Sequence, residues 1–370
     1  MSNITYKKIF YTILILALLI RVYIVFFSGL SWYGPDTENY IKMAKAIVDG
    51  NPISFFPNGF PLLLAGTMFL SPGNFPVLIV LLNIVMQIAA VILMEKILSR
   101  YNIEEKTRLL IIFIIAFYPN LVNNARLILT ESTSLFLIVL SLLLYTYGRY
   151  PASGFAGYLT YTFRPSLFLV FPFIIIYDLF RRKKISALKT ASGFLAGLLI
   201  FLSLEWTGVV ASPSSYEYNA LVAINAYGYK IDFQLENASE YELKHPVETY
   251  FNFIAEHPVE YTLQRFLSLW NLWGPTIYFG YNITSFMLYD IRFPLFILAV
   301  LAFLFRNKMG YEKEFIILLS FPVISLTLIH FFFLSTLRHR TVAEPFVIVL
   351  AILFLNYLVK LRKSLKIFGG

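Results

Sequence analysis

Long apolar runs recur along this chain, each fenced by short clusters of lysine and arginine, and that pattern constrains the fold more than any single motif. Residues 9–30, 75–98 and 188–206 each match the roughly 20 residues that cross a bilayer as a helix. A chain of 370 residues that is 58% hydrophobic and 14% charged has too little polar surface to cover a soluble globule. It reads as an all-α polytopic membrane protein of about ten helices. The formal charge of +9 is not a nucleic-acid signal, because the basic residues sit mostly in short loops beside the apolar runs. With no cysteine, disulfides, thiolate catalysis and cysteine-ligated metals are excluded. The four histidines (His245, His257, His330, His339) lack ligand spacing, so neither a metal nor another cofactor is expected.

Lys7 and Lys8 place the N-terminus in the cytoplasm. Residues 9–30 are too long for a signal-peptide core and carry no A-x-A site, so they stay as the first span. Residues 31–61 then form an outer loop, 62–70 are half-inserted, and 75–98 return to Arg100, Lys106 and Arg108 inside. Segment 109–121 rises and 127–147 descends. Segments 155–163 and 167–180 make a hairpin with Arg164-Pro165 at its outward tip, and 188–206 goes out again. Residues 207–285 lose the apolar character and form one large extracytoplasmic loop, with eight acidic side chains against three basic. Segments 286–305, 315–334 and 342–359 complete the bundle, and the C-terminus ends inside with Lys360, Arg362, Lys363 and Lys366. In this topology eighteen lysines and arginines lie inside and nine outside, as the positive-inside rule requires. The whole of 1–370 is then a single membrane-embedded domain with no tandem repeat.

Chemistry is expected where ionisable side chains gather near the outer leaflet: the acids Asp36, Glu38 and Glu131 and the bases Arg126, Arg164, Arg338 and Arg340. Arginines on short outer loops run against the charge bias, and guanidinium matches phosphate oxygens bidentately. A lipid-linked phosphate is a natural partner. Headgroup contact, or a plain Arg164–Glu131 pair, is the structural alternative. For Arg164 the two readings stand level; for Arg338-His339-Arg340, clustered charge in apolar surroundings favours phosphate. Glu131 reads as a partner for Arg126 or Arg164.

Within 31–61, Gly34-Pro35 precedes a helix that Gly50-Asn51-Pro52 ends. Tyr40, Met43, Ala44 and Ile47 recur at helical spacing, so the helix should lie along the membrane surface. Asp36 falls at its N-terminus, where a carboxylate often only caps. Its place at the membrane boundary, after a Gly-Pro and among Trp32, Tyr33, Tyr40, Phe55, Phe56 and Asn58, makes it a candidate proton acceptor. In the large loop, Phe266, Leu269 and Trp273 keep helical spacing for lying on the membrane, and Trp270 and Trp273 suit an interfacial aromatic belt.

The order of PDTENYIKMAKAIVDGNP, PNGFPLLLAGTMF, LTESTSLFL around Glu131, FRPS around Arg164, EHPVEYTLQRFLSLW and RHRTVAEP resembles the membrane-embedded glycosyltransferases of the GT-C superfamily. It looks closest to the protein mannosyltransferase and aminoarabinose transferase branch, glycosyltransferase family 39. The resemblance covers most of the chain through short motifs whose order is the specific part. It implies an inverting transferase of a prokaryotic plasma membrane. A polyprenyl-phosphate sugar would be the donor, and an acceptor of protein, lipid or glycan would be glycosylated on the outer face. By the same resemblance Asp36 is the catalytic base, Glu38 a second carboxylate, and Arg338, Arg340 and Arg164 hold the donor phosphate. Tyr40, Glu131, Arg126 and His339 support the site. Nothing in the motifs implies a nucleotide, a metal or a nucleic acid. A flippase or transporter of lipid or lipid-linked glycan, or an outer-face glycan polymerase or ligase, is the competing reading. Flippases place charges near the midplane, and polymerases or ligases need no first-loop aspartate.

Overall fold

The computed structural model describes residues 3–54, 56–212, 245–274, 292–333 and 338–368. Where these are ordered into secondary structure they are helical. The first half comprises α1 (Asn3–Phe26), α2 (Thr37–Val48), α3 (Gly59–Leu70), α4 (Phe75–Arg100), α5 (Glu105–Phe117), α6 (Pro119–Asn124), α7 (Glu131–Thr146), α8 (Tyr150–Phe163), α9 (Val170–Phe180) and α10 (Lys184–Trp206). The second comprises α11 (Pro246–Glu256), α12 (Pro258–Trp273), α13 (Arg292–Leu304), α14 (Lys313–Phe332) and α15 (Glu344–Phe368). Short 3-10 turns occupy Pro165–Leu167 and His339–Val342. Fifteen α-helices among the described residues exceed the ten expected, because the segment read as 109–121 is split into α5 and α6 and the segments read as loops carry α2, α11 and α12. Five are long and apolar enough to cross a membrane: α1, α4, α10, α14 and α15.

Each break has a local cause. Tyr118 is extended (φ −63°, ψ 121°) ahead of Pro119, which bars it from the helical region and separates α5 from α6. The expected descent from 127 starts as a helix only at Glu131, because 126–128 are tied to the first outer loop instead. Arg164, extended ahead of Pro165, ends α8. Residues 213–244 and 275–291, most of the large loop, lie outside the described residues, as does Phe55.

The main apolar core runs through α4, α5, α7, α14 and α15, with Phe171, Phe315 and Phe346 among its fully buried side chains. All of Phe346 to Phe354 is buried, so α15 is enclosed by protein on every side along that length. α8 and α10 approach through small residues. A Cβ on Gly193 would lie 1.8 Å from the Pro151 carbonyl oxygen, and one on Gly154 would lie 2.0 Å from that of Thr190. A smaller core joins α2 and α3 to the start of α4 and residues 125–129. Tyr40 and Ala44 bury there, with Met43 fully buried beside them. The stripe expected to face lipid thus faces protein, because α3 covers it, with Phe60 set edge-on to Tyr40.

α15 is anchored by a charge knot. Glu344 lies 3.4 Å from both Arg340 Nε and Arg292 Nε, and Asn120 Nδ2 donates to both of its oxygens at 3.2 Å. All three charged side chains are at least 96% buried. Removing this acid would take the shared carboxylate from two buried guanidinium groups. We expect Glu344→Ala to cost about 3–5 kcal/mol, read as a steep loss of melting temperature in detergent. An unchanged melting temperature would contradict this role.

Candidate active site

The first outer loop is held before it reaches α2. Trp32 Nε1 donates to the Val25 carbonyl (2.8 Å), and the Ile128 amide donates to the Trp32 carbonyl (2.9 Å). Arg126 bonds Asn123 Oδ1 (2.9 Å) and the Ser31 carbonyl, fastening residues 123–128 along 31–32. Thr37 completes the clamp: its hydroxyl accepts from the Gly34 amide (2.8 Å) and donates to the Ile128 carbonyl (3.0 Å). A Cβ on Gly34 would meet Leu129 Cδ1 at 2.7 Å, so the glycine permits this close approach. Asp36 occupies the N-cap position of α2, yet its side chain makes no capping hydrogen bond. The carboxylate pairs instead with Arg338 Nη2, from a segment 302 residues further along. The capping alternative for Asp36 therefore fails.

A second pair stands beside the first. Arg164, at the junction after α8, places Nη1 at 3.2 Å from Glu131 Oε1 and 3.4 Å from Thr130 Oγ1. Its Nη2 donates to the carbonyl of His339 (3.1 Å), adjacent in sequence to Arg338. The two pairs differ in exposure: side chains of 9% and 6% for Arg164 and Glu131, against 32% and 26% for Arg338 and Asp36. They also share a field. Burial acts to lower the Arg338 pKa, but the carboxylates of Glu131 and Asp36 together hold it above its ordinary value. The Tyr40 phenol is pushed up by burial first and then by Glu131 and Asp36, so it stays protonated. α2, α7, the α8 junction and the turn before α15 thus bring Asp36, Tyr40, Glu131, Arg164 and Arg338 together.

Three buried atoms in this cluster have no hydrogen-bond partner among the described residues: Arg338 Nη1, Arg164 Nε and Glu131 Oε2. Buried polar groups are nearly always paired, and an unpaired one costs about 1–3 kcal/mol or more. Two guanidinium N–H groups and a carboxylate oxygen therefore remain able to bind something with acceptor oxygens and a donor hydroxyl or amine. With two acids and two bases the quartet is formally neutral, so an anion can enter without facing net negative charge.

Other expected site residues fall elsewhere. Arg340 has no exposed surface; it is bound to Glu344 and, through Nη1, to the Leu272 carbonyl (2.6 Å). It offers no surface to a ligand here and instead fixes the turn that presents Arg338. Glu38 is exposed on α2 and forms no ion pair among the described residues. Arg126 is a tether for the loop. The His339 imidazole stacks on His330 at 4.5 Å. Thr130 and Glu344 were not among the expected residues, although Glu344 lies four residues after Arg340, a spacing that already places the two on one helical face. Among the described residues, no three histidine or acidic side chains gather to hold a metal ion. A small cavity lined by Arg21, Gln87, Met94 and Leu135 lies deeper in the bundle and is not part of this cluster.

No family model matches the chain, and no curated protein matches it in sequence. Among solved structures it is similar to the oligosaccharyltransferase AglB of the archaeon Archaeoglobus fulgidus in complex with an inhibitory peptide and a dolichol-phosphate. That match has 13% identity and a TM-score of 0.55, over 100% of this chain and 53% of that one. An Archaeoglobus fulgidus oligosaccharyltransferase in the apo form matches at 13% identity and a TM-score of 0.57, over 98% of this chain and 52% of that one. The chain spans about half the length of these relatives in fold. The likeness is one of fold, shared with these oligosaccharyltransferases, and it does not single out the mannosyltransferase branch.

The exposure difference between the two pairs gives a measurable contrast. Glu131→Ala leaves Arg164 buried and uncompensated, and is expected to cost about 3–5 kcal/mol. Asp36→Ala opens a partly exposed pair and should cost about 0.2–1 kcal/mol. Thermal unfolding of both variants in one detergent checks the order. Equal losses would contradict it.

Proposed function

We propose that this chain is a glycosyltransferase that takes a sugar from a polyprenyl-phosphate donor and transfers it, with inversion, to an acceptor on the side of the membrane where the Asp36–Arg338 pair lies. One observation carries this reading. Arg338 gives Nη2 to Asp36 while its Nη1 is buried without a partner among the described residues. A single planar guanidinium is thereby set to link a proton acceptor to an anionic group. The dolichol-phosphate in the AglB complex supports a donor of this class, and the peptide in it supports an acceptor site in the same fold.

In this mechanism Asp36 removes the proton from the acceptor hydroxyl or amine as that group attacks the anomeric carbon. The carbon–oxygen bond to the phosphate breaks on the opposite face, and the bonding pair leaves with the phosphate. Arg338 Nη1 and Arg164 Nε stabilise the charge growing there, an effect that strengthens where water is excluded. Glu131 orients Arg164 and leaves Oε2 to accept from a sugar hydroxyl. Arg340 acts only through the turn it fixes. The charges gather around one outward cluster, which favours chemistry at the surface over passage through the bundle.

Supplying the purified protein with a panel of polyprenyl-phosphate sugars and following which is consumed tests the reading. Asp36→Asn should lower turnover by about 10²-fold or more while donor binding persists, because Arg338 then loses its competitor. Turnover at the wild-type rate would overturn the assignment. Arg338→Ala should raise the donor concentration needed for half-maximal rate, and an unchanged dependence would remove Arg338 from the donor site.

A further inference from the structure

α12 is amphipathic in the opposite sense to a helix at a protein–water boundary. Val259, Leu263, Phe266 and Trp270 are its exposed large side chains, spaced by four, three and four so that they form one stripe. Its buried residues are Tyr261, Gln264, Arg265 and Ser268, followed by Leu272 and Trp273 at its end, and Arg265 and Ser268 have no exposed surface at all; the polar Glu260 and Thr262 of its first turns are exposed. The stripe differs from the one read in the sequence. Trp273 turns inward and stacks on Phe296 at 4.5 Å, while Val259, Leu263 and Trp270 face out.

The buried polar face serves the end of a membrane-length helix. The last carbonyls of α14 have no partner within that helix. Ser268 Oγ donates to the His330 carbonyl (2.7 Å), Arg265 Nη1 to that of Phe332 (2.8 Å) and the Tyr250 hydroxyl to that of Phe332 (3.0 Å). At a wetted helix end water does this. Here buried side chains do, which is what a helix ending in apolar surroundings requires. α12 also descends along α14. Trp273 Nε1 donates to Thr327 Oγ1 (3.0 Å), five residues below Phe332, a depth of roughly 7.5 Å at the helical rise. Phe266 of the stripe packs edge-on against Phe331 of α14, with ring centroids 6.2 Å apart, and Leu328 and Phe332 of that helix are exposed as well.

We propose that the Val259–Leu263–Phe266–Trp270 stripe is covered by lipid acyl chains of the leaflet on the Asp36 side. α12 is thus inserted obliquely into the bilayer instead of standing in an aqueous loop. Continuity with the apolar surface of α14, a membrane-length helix, identifies the occupant as lipid. This inference does not depend on glycosyl transfer.

The chain has no cysteine, so single labels need no prior substitution. Val259→Cys, Leu263→Cys, Phe266→Cys and Trp270→Cys, with Glu256→Cys as an exposed control, would each carry a nitroxide in full-length protein reconstituted into phospholipid vesicles. Collision with oxygen, which partitions into lipid, is compared with collision with a water-soluble nickel chelate. The expected result is that oxygen dominates at 263, 266 and 270, with the ratio rising from 259 to 270, while nickel dominates at 256. Nickel collisions at 263, 266 and 270 equal to those at 256 would overturn the proposal in favour of water. Immobilised spectra with little collision from either reagent would overturn it in favour of a protein cover such as a second copy.

Discussion

A charge surrounded by hydrocarbon must find an opposite charge or a set of hydrogen bonds, and the arrangement of this protein follows from that demand. Asp36, Glu131, Arg164 and Arg338 come from four separate segments yet form two adjacent pairs. A third knot, Arg292 and Arg340 on Glu344, fixes the start of α15. Arg21, fully buried in α1, meets the same demand without a carboxylate: Nε bonds Gln87 Oε1 (2.8 Å) and Nη1 bonds the Ala116 carbonyl (2.8 Å). Gln87 in turn donates to Ser132 (2.9 Å), next to Glu131. Such links position helix ends more narrowly than apolar packing alone, because each has few geometries that satisfy it.

The two pairs around the cluster are of different kinds. Arg164 and Glu131 are nearly enclosed, and Arg164 spends one further N–H on the His339 carbonyl, which holds the turn in register. Arg338 and Asp36 are more open and join the loop before α15 to the N-terminus of α2. A rigid inner pair with a more accessible outer one suits a site that must keep its shape while one member exchanges partners. Arg340, two residues from Arg338, faces the opposite way into the Glu344 knot. One short turn therefore separates an arginine that can meet a ligand from one that cannot.

Much of the fold was legible because lipid leaves few choices. Apolar length set α1, α4, α10, α14 and α15, and Arg164-Pro165 marked the junction after α8, whereas the break at Tyr118-Pro119 inside the segment read as 109–121 was missed. Asp36, Glu131, Arg164 and Arg338 were legible as acids and bases on outer loops, where only convergence relieves their cost. The division of labour between Arg338 and Arg340 was not, since it depends on which way a single 3-10 turn faces. Nor was the cover over Tyr40, Met43 and Ala44. An apolar stripe reads the same whether protein or lipid lies against it, and only the position of α3 decides. The inverted face of α12 was hidden for the same reason.

The central claim is that Arg338 and Arg164 jointly receive a lipid phosphate beside Asp36. Titration of a polyprenyl phosphate bearing no sugar into the purified protein, followed by phosphorus NMR, tests it apart from turnover. A shifted, saturable phosphorus resonance is expected with wild type and with Asp36→Asn, and its loss with Arg338→Met. Equal binding by Arg338→Met and wild type would contradict it.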